Sequence, residues 1–200
     1  MIRILIFAVT LIIGLPITST AQKSKMSKAE REAAWRAERI KKREAERAKI
    51  VTEDSIAFAQ AVQALRNGSW ALEASNITFN NGITRFVTSS TNYVAVNGGE
   101  GTVQTAFNNT NINSPNGLGG VTLEGNVWGE RIGIDDDGNV FFSCSIQGNG
   151  ISAVINVTLT ANTNQASANV NANYSGNRMT FNGYLYPYNS AGIFEGQPSY

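Results

Sequence analysis

The sequence predicts a mainly β fold: a curved antiparallel meander or partial barrel, with one short packing helix and a charged N-terminal helix. Three observations lead there. Between Gly117 and Leu185, apolar residues recur at every second position over five consecutive segments, the period of a strand with one buried face. The segments are joined by short turn signals, which force antiparallel neighbours. With the segments upstream, about nine or ten strands result, a number at which an open sheet usually curls or closes.

In chain order, residues 1–21 have the three parts of a secretory signal peptide. Arg3 precedes an apolar run from Ile4 to Ile17, and Ser19 and Ala21 suit cleavage after Ala21. Gly14 and Pro16 break the run, which is shorter than the roughly 20 residues of a membrane span. No cysteine follows it, which argues against a lipoprotein anchor. The expected location is periplasmic, with secretion as the variant, and the cleaved protein is not expected to be integral to a membrane.

Residues 22–53 form a charged leader. Eleven Lys and Arg stand against six acids, a formal charge of +5, whereas 54–200 carries four against nine. The leader is rich in Ala, Glu, Arg and Lys, and Glu32–Arg36 and Glu38–Lys42 are helix-supporting i,i+4 pairs. It reads as a solvated spacer, or as an arm for an anionic surface. Nucleic acid is not an expected partner of an exported chain.

Residues 54–200 are the β-domain. Asp54-Ser55 is expected to open a second helix that ends at Asn67-Gly68, with Phe58, Ala61, Val62 and Leu65 on one face. Trp70–Ala74, Ile77–Phe79, Ile83–Val87, Tyr93–Val96 and Thr102–Phe107 follow as strand segments, before an Asn-rich loop from Asn108 to Gly120. The five cleanest rows then start at Val121, Val140, Ile151, Ala166 and Met179, with Ser, Thr and Asn on the opposite face.

Several chemistries lack their residues. With no histidine, Ser-His-Asp and Cys-His catalysis and the usual zinc sites are excluded. Cys144, the sole cysteine, lies on an apolar row and reads as a small buried hydrophobe. Asp135-Asp136-Asp137-Gly138-Asn139 has Gly133 and Cys144 where a calcium loop needs acids, so an acidic hairpin is the better reading. Glu124 and Glu130 are the only candidates for a carboxylate mechanism, with Glu73 and Glu100 as other isolated acids. No catalytic residue, metal site or cofactor is expected.

Gly117-Leu118-Gly119-Gly120-Val121, Asp137-Gly138-Asn139-Val140, Ile151-Ser152-Ala153, Ala166-Ser167-Ala168 and Gly176-Asn177-Arg178-Met179-Thr180 resemble domain-of-unknown-function family 4251. The resemblance runs from about Phe58 to Phe194. It implies an exported, lipocalin-like or clam-shaped β-domain typical of Bacteroidota, with no catalytic residues to carry over. The expected function is a non-enzymatic binding or interaction module of the cell envelope. Its partner would be a small hydrophobic molecule, walled by Trp70, Phe107, Phe142, Phe181 and Tyr184, or an envelope protein. A small outer-membrane β-barrel and a carboxylate-based hydrolase acting on envelope glycans are the alternatives. Oligomeric state is not legible in the sequence.

Overall fold

The structure is a computed structural model that describes residues 27–107, 119–150, 152–173 and 178–196. The predicted signal peptide with its Ala21 site, most of the Asn-rich loop, the Ser175-Gly176-Asn177 turn and residues 197–200 lie outside the described residues.

The chain divides into units at 1–44 and 45–200. Of the first, residues 27–44 are described, and from Lys28 they belong to helix α1 (Lys28–Arg66). Ser27 and Glu30 form a capping box there: the Glu30 amide donates to Ser27 Oγ at 3.2 Å and the Ser27 amide to Glu30 Oε2 at 2.7 Å. The Arg39 guanidinium stacks 4.6 Å from the centre of the Trp35 ring.

In the second unit, α1 continues to Arg66 and does not restart at Asp54-Ser55 as expected. The hydroxyls of Thr52 and Ser55 donate back to the carbonyls of Ala48 and Val51 at 2.9 and 2.8 Å. These residues therefore sit within a helix instead of capping a new one. Ala61, Ala64 and Leu65 are buried, with Phe58 and Val62 packed beside them.

Nine strands follow: β1 (Ser69–Phe79), β2 (Thr84–Phe86), β3 (Tyr93–Asn97), β4 (Glu100–Thr105), β5 (Val121–Ile134), β6 (Val140–Gln147), β7 (Ser152–Leu159), β8 (Gln165–Ala172) and β9 (Arg178–Pro187). Each pairs antiparallel with its neighbours, and β9 pairs back onto β1 from Trp70↔Pro187 to Phe79↔Met179. Eight strands thus close into a barrel, and β2 extends the sheet along the far half of β1. β2 and β3 flank one break in a single edge. Asn92, fully buried at that break, donates to the carbonyls of Thr88 and Ala106 at 2.9 and 3.0 Å and accepts from the Ala106 amide at 2.8 Å.

The turns follow their sequence chemistry. Gly98 and Gly99, with φ of 60° and 89°, make the two-residue loop between β3 and β4, where both positions need positive φ. Gly129 (φ 67°) lies in a register shift between Trp128 and Arg131. This bulge carries β5 on to Ile134 after the alternation from Leu123 to Val127 has lapsed.

The interior holds one contiguous apolar cluster drawn from the barrel strands and from α1. Trp70, Leu72, Ile77, Ile146, Ile155, Leu159, Phe181 and Leu185 are its largest fully buried apolar side chains on the strands. Each is worth about 1.5–3 kcal/mol on burial. The helix face of Phe58, Ala61, Val62 and Leu65 joins this cluster beside the start of β1.

Candidate functional site

Three of the five residues expected to wall a ligand site are core residues. Trp70, Phe142 and Phe181 belong to the central cluster, with Trp70 and Phe142 in edge-to-face contact at 5.4 Å. The Trp70 indole N–H is fully buried and has no acceptor among the described residues. Phe107 is partly buried and packs 5.7 Å from Phe79. Tyr184 is different: it lies on the outer surface, 43% exposed.

The described grooves of the barrel wall also open on the outside. One, of roughly 380 Å³, is lined by Arg131, Gly133, Phe141, Ser143, Asn156 and Thr158 together with parts of Ile132, Phe142 and Val157. The other, of roughly 370 Å³, is lined by Ser75, Asn76, Thr158, Thr160, Gln165, Ser167, Asn182 and Tyr184, with Ala166 and Gly183 at its floor. Thr158 lines both, so the two are neighbours.

Strand register explains why these residues meet. Gly133, Phe141, Thr158, Ser167, Asn182 and Asn76 are successive cross-strand partners from β5 round to β1. Their side chains lie in one row on the outer face. A second row runs Arg131, Ser143, Asn156, Asn169, Thr180 and Thr78. Among the described residues, the side chains of Arg131, Ser143, Asn156, Thr158 and Ser167 have no hydrogen-bond partner in the protein. Strands β6 to β9 carry a single charged side chain, Arg178.

The sequence reading put these Ser, Thr and Asn residues on a polar face without linking them. The signal available was Phe141, an aromatic out of phase with its own strand and 44% exposed.

The C-terminal segment covers another part of the outer face. Tyr188, Ala191 and Ile193 pack on Ala71, Tyr93 and Ala95. Gln104, fully buried beneath it, uses its whole bonding capacity. Its amide donates to the carbonyls of Thr91 (3.1 Å) and Phe194 (2.8 Å), and its oxygen accepts from Thr122 Oγ1 (3.1 Å) and the Gly196 amide (2.6 Å). Glu73 accepts from the Gly192 amide at 2.6 Å. Burial first, and then the neighbouring Glu195 carboxyl, raise the Glu124 carboxyl above its usual range. Burial, with Glu195 and other neighbours behind it, likewise raises the Tyr93 phenol.

The remaining polar candidates have structural partners. The Asp135 carboxylate accepts from the amides of Asp137 (3.0 Å) and Asn139 (2.8 Å) and from the Asn139 side chain (3.0 Å), closing the β5–β6 hairpin. The Asn139 side-chain bond leads the effects that lower its pKa. Cys144 is a buried free thiol, pushed up to about 12 mainly by burial, with Glu130 adding to it. Among the described residues no group of three or more acidic or sulfur ligands could hold a metal ion.

Comparison with known proteins adds the lineage. The profile of a family described as "Domain of unknown function (DUF4251)" matches residues 52–185. A crystal structure of a DUF4251 family protein from Bacteroides eggerthii is 46% identical, covers 72% of this chain and 96% of that chain, and superposes with a TM-score of 0.63. No curated protein matches the chain.

Proposed function

Because the chain belongs to the DUF4251 family of unknown function, its role must be read from its own surface, and we propose that it is a non-enzymatic, exported binding module of the cell envelope that engages its partner on the outside of a filled barrel. The observation that carries this is the contrast between the two faces of one wall. The inner face is an apolar cluster continuous with α1, and the outer face bears two adjoining grooves with unpaired polar groups. Export rests on the signal-peptide pattern of residues 1–21.

The same contrast weighs against the other readings. A carrier of hydrophobic cargo needs space where Trp70, Phe142 and Phe181 pack. A membrane barrel presents a continuous apolar band to lipid, whereas the outward rows on β7 to β9 are mainly Ser, Thr and Asn, with Val154 and Tyr184 as isolated exceptions. Glu124 neighbours Glu195 of the C-terminal segment, and Glu130 lies in the β5 bulge. Glu195 and Glu100, and not Glu130, are the carboxyls that act on Glu124, which weighs against Glu124 and Glu130 as a hydrolytic pair.

Native mass spectrometry of the protein purified from the periplasm of its own host is the test. The expected result is the bare polypeptide mass after desalting. A stoichiometric hydrophobic adduct that resists desalting would refute binding on the outside in favour of internal cargo.

A further inference from the structure

We propose that the joined outer grooves bind a neutral linear glycan, laid across strands β6 to β9 between Phe141 and Tyr184. This rests on the reading above that the barrel works through its outer face.

The first argument is geometric. Phe141, Thr158, Ser167 and Asn182 are consecutive partners across four strands. With strands about 4.8 Å apart, the row spans roughly 14 Å before Tyr184 extends it along β9. A chain molecule crossing the strands meets one side chain per strand, in register.

The second argument is chemical. A pyranose ring presents weakly positive C–H bonds on its faces, and these complement the negative face of an aromatic ring. Phe141 and Tyr184, 44% and 43% exposed, supply such rings at the two ends of the groove. Equatorial sugar hydroxyls both donate and accept, as do the hydroxyls of Thr158 and Ser167 and the amide of Asn156 between those ends. None of these three is satisfied within the protein, among the described residues. Arg131, equally unpaired beside Phe141, adds a planar fork of donors suited to a pair of neighbouring hydroxyls.

Charge selects the ligand class. Arg131, at the Phe141 end, is the one charged side chain lining the two grooves, so a charged chain would find an opposite charge at most at that end and would lose hydration uncompensated along the rest. A neutral polyhydroxyl chain exchanges its water for uncharged partners in kind. A protein partner fits less well, because interface cores gather contiguous aromatic and aliphatic side chains. Here hydroxyls and amides separate the two aromatics.

The test is a heteronuclear NMR titration of the full mature chain with three neutral hexasaccharides: cellohexaose, chitohexaose and maltohexaose. At least one, at millimolar concentration, is expected to shift the amides of Phe141, Thr158, Ser167, Asn182 and Tyr184 as a contiguous set. Phe141→Ala and Tyr184→Ala should each weaken that binding about tenfold. Thr158→Val should weaken it several-fold. Urea midpoints of the two alanine variants should match the parent, since both side chains are largely outside the core. Phe86→Ala, at an exposed aromatic on β2, should leave affinity unchanged. The proposal is overturned if none of the three sugars moves this row, or if shifts arise elsewhere and survive both alanine substitutions. A polypeptide that cross-links to the groove while all three sugars fail would also overturn it, yet leave outer-face binding standing. A molecule retained inside the barrel would instead overturn the outer-face reading.

Discussion

Replacing Gln104 with leucine removes four hydrogen bonds at once while keeping a side chain of similar bulk. Two of them hold the C-terminal segment, at Phe194 O and Gly196 N, and two stay within the barrel, at Thr91 O and Thr122 Oγ1. At about 0.5–1.5 kcal/mol net per bond, the loss would be about 2–6 kcal/mol if the segment stayed in place. It need not stay. Once it lifts, its carbonyl and amide regain water, so the cost to the barrel falls to about 1–3 kcal/mol, the share of the two internal bonds. That is less than the roughly 5–15 kcal/mol that holds a domain folded. Gln104→Leu should therefore remain a folded barrel with a released tail. Hydrogen exchange should show early loss of protection at the Phe194 and Gly196 amides, while the core amides of β7 and β8 stay protected. Urea unfolding should show a lower midpoint with little change in slope. Unchanged protection at Phe194 and Gly196, with an unmoved midpoint, would refute the assignment of Gln104 as the anchor.

Gly183→Ala places a Cβ 1.9 Å from the Glu73 carbonyl oxygen, so β1 and β9 must part, and urea unfolding should register a loss at or above the upper end of about 1–3 kcal/mol. Phe181→Ala empties the centre of the cluster and should lower stability by about 3–5 kcal/mol in the same assay. Glu124 has a raised carboxyl, so its favourable contribution is complete below the unfolded pKa and is lost as pH rises through the folded one. Glu124→Gln should therefore raise the melting temperature at neutral pH, with the gain shrinking in acid; an equal gain at both would exclude the carboxyl repulsion. The Cys144 thiol, pushed up to about 12, should resist iodoacetamide at pH 8 in the native protein and react on unfolding in urea; fast native labelling would contradict its burial.

Much of the fold was legible because strand alternation is local. The rows beginning at Val140, Ile151 and Ala166 correspond to β6, β7 and β8 with nearly the same limits, and Phe58, Val62 and Leu65 form the packed face of α1. Legibility failed where a local preference met a competing interaction. Asp54-Ser55 has the residues of a helix start, yet hydroxyl bonds to preceding carbonyls let α1 pass through. The row that starts at Val121 and the segment of Ile132 and Ile134 are one strand, β5, because the bulge at Gly129 resets the phase of the alternation between them. Thr122 and Gln104 look like solvent-facing polar residues in the sequence. Gln104 is buried because a segment some 90 residues later supplies two of its bonding partners, and Thr122 lies buried beside it, donating to the Gln104 side-chain oxygen.

By itself the sequence determined the class of the domain, the strands and most of their turns, the apolar face of the helix, and the absence of histidine and disulfide chemistry. These depend on residue identity and on neighbours within a few positions. Tertiary structure alone decided that the sheet closes through β1 and β9, that Trp70, Phe142 and Phe181 pack in the buried cluster, and that Tyr184 faces outward. Closure brings together strands more than 100 residues apart, and filling depends on whether side-chain volumes match the barrel's bore. Neither quantity is written in a local pattern. Strand register across β6 to β9 aligned Phe141, Thr158, Ser167 and Asn182 into one outward row, which is why the candidate site is read on the barrel wall and not inside it.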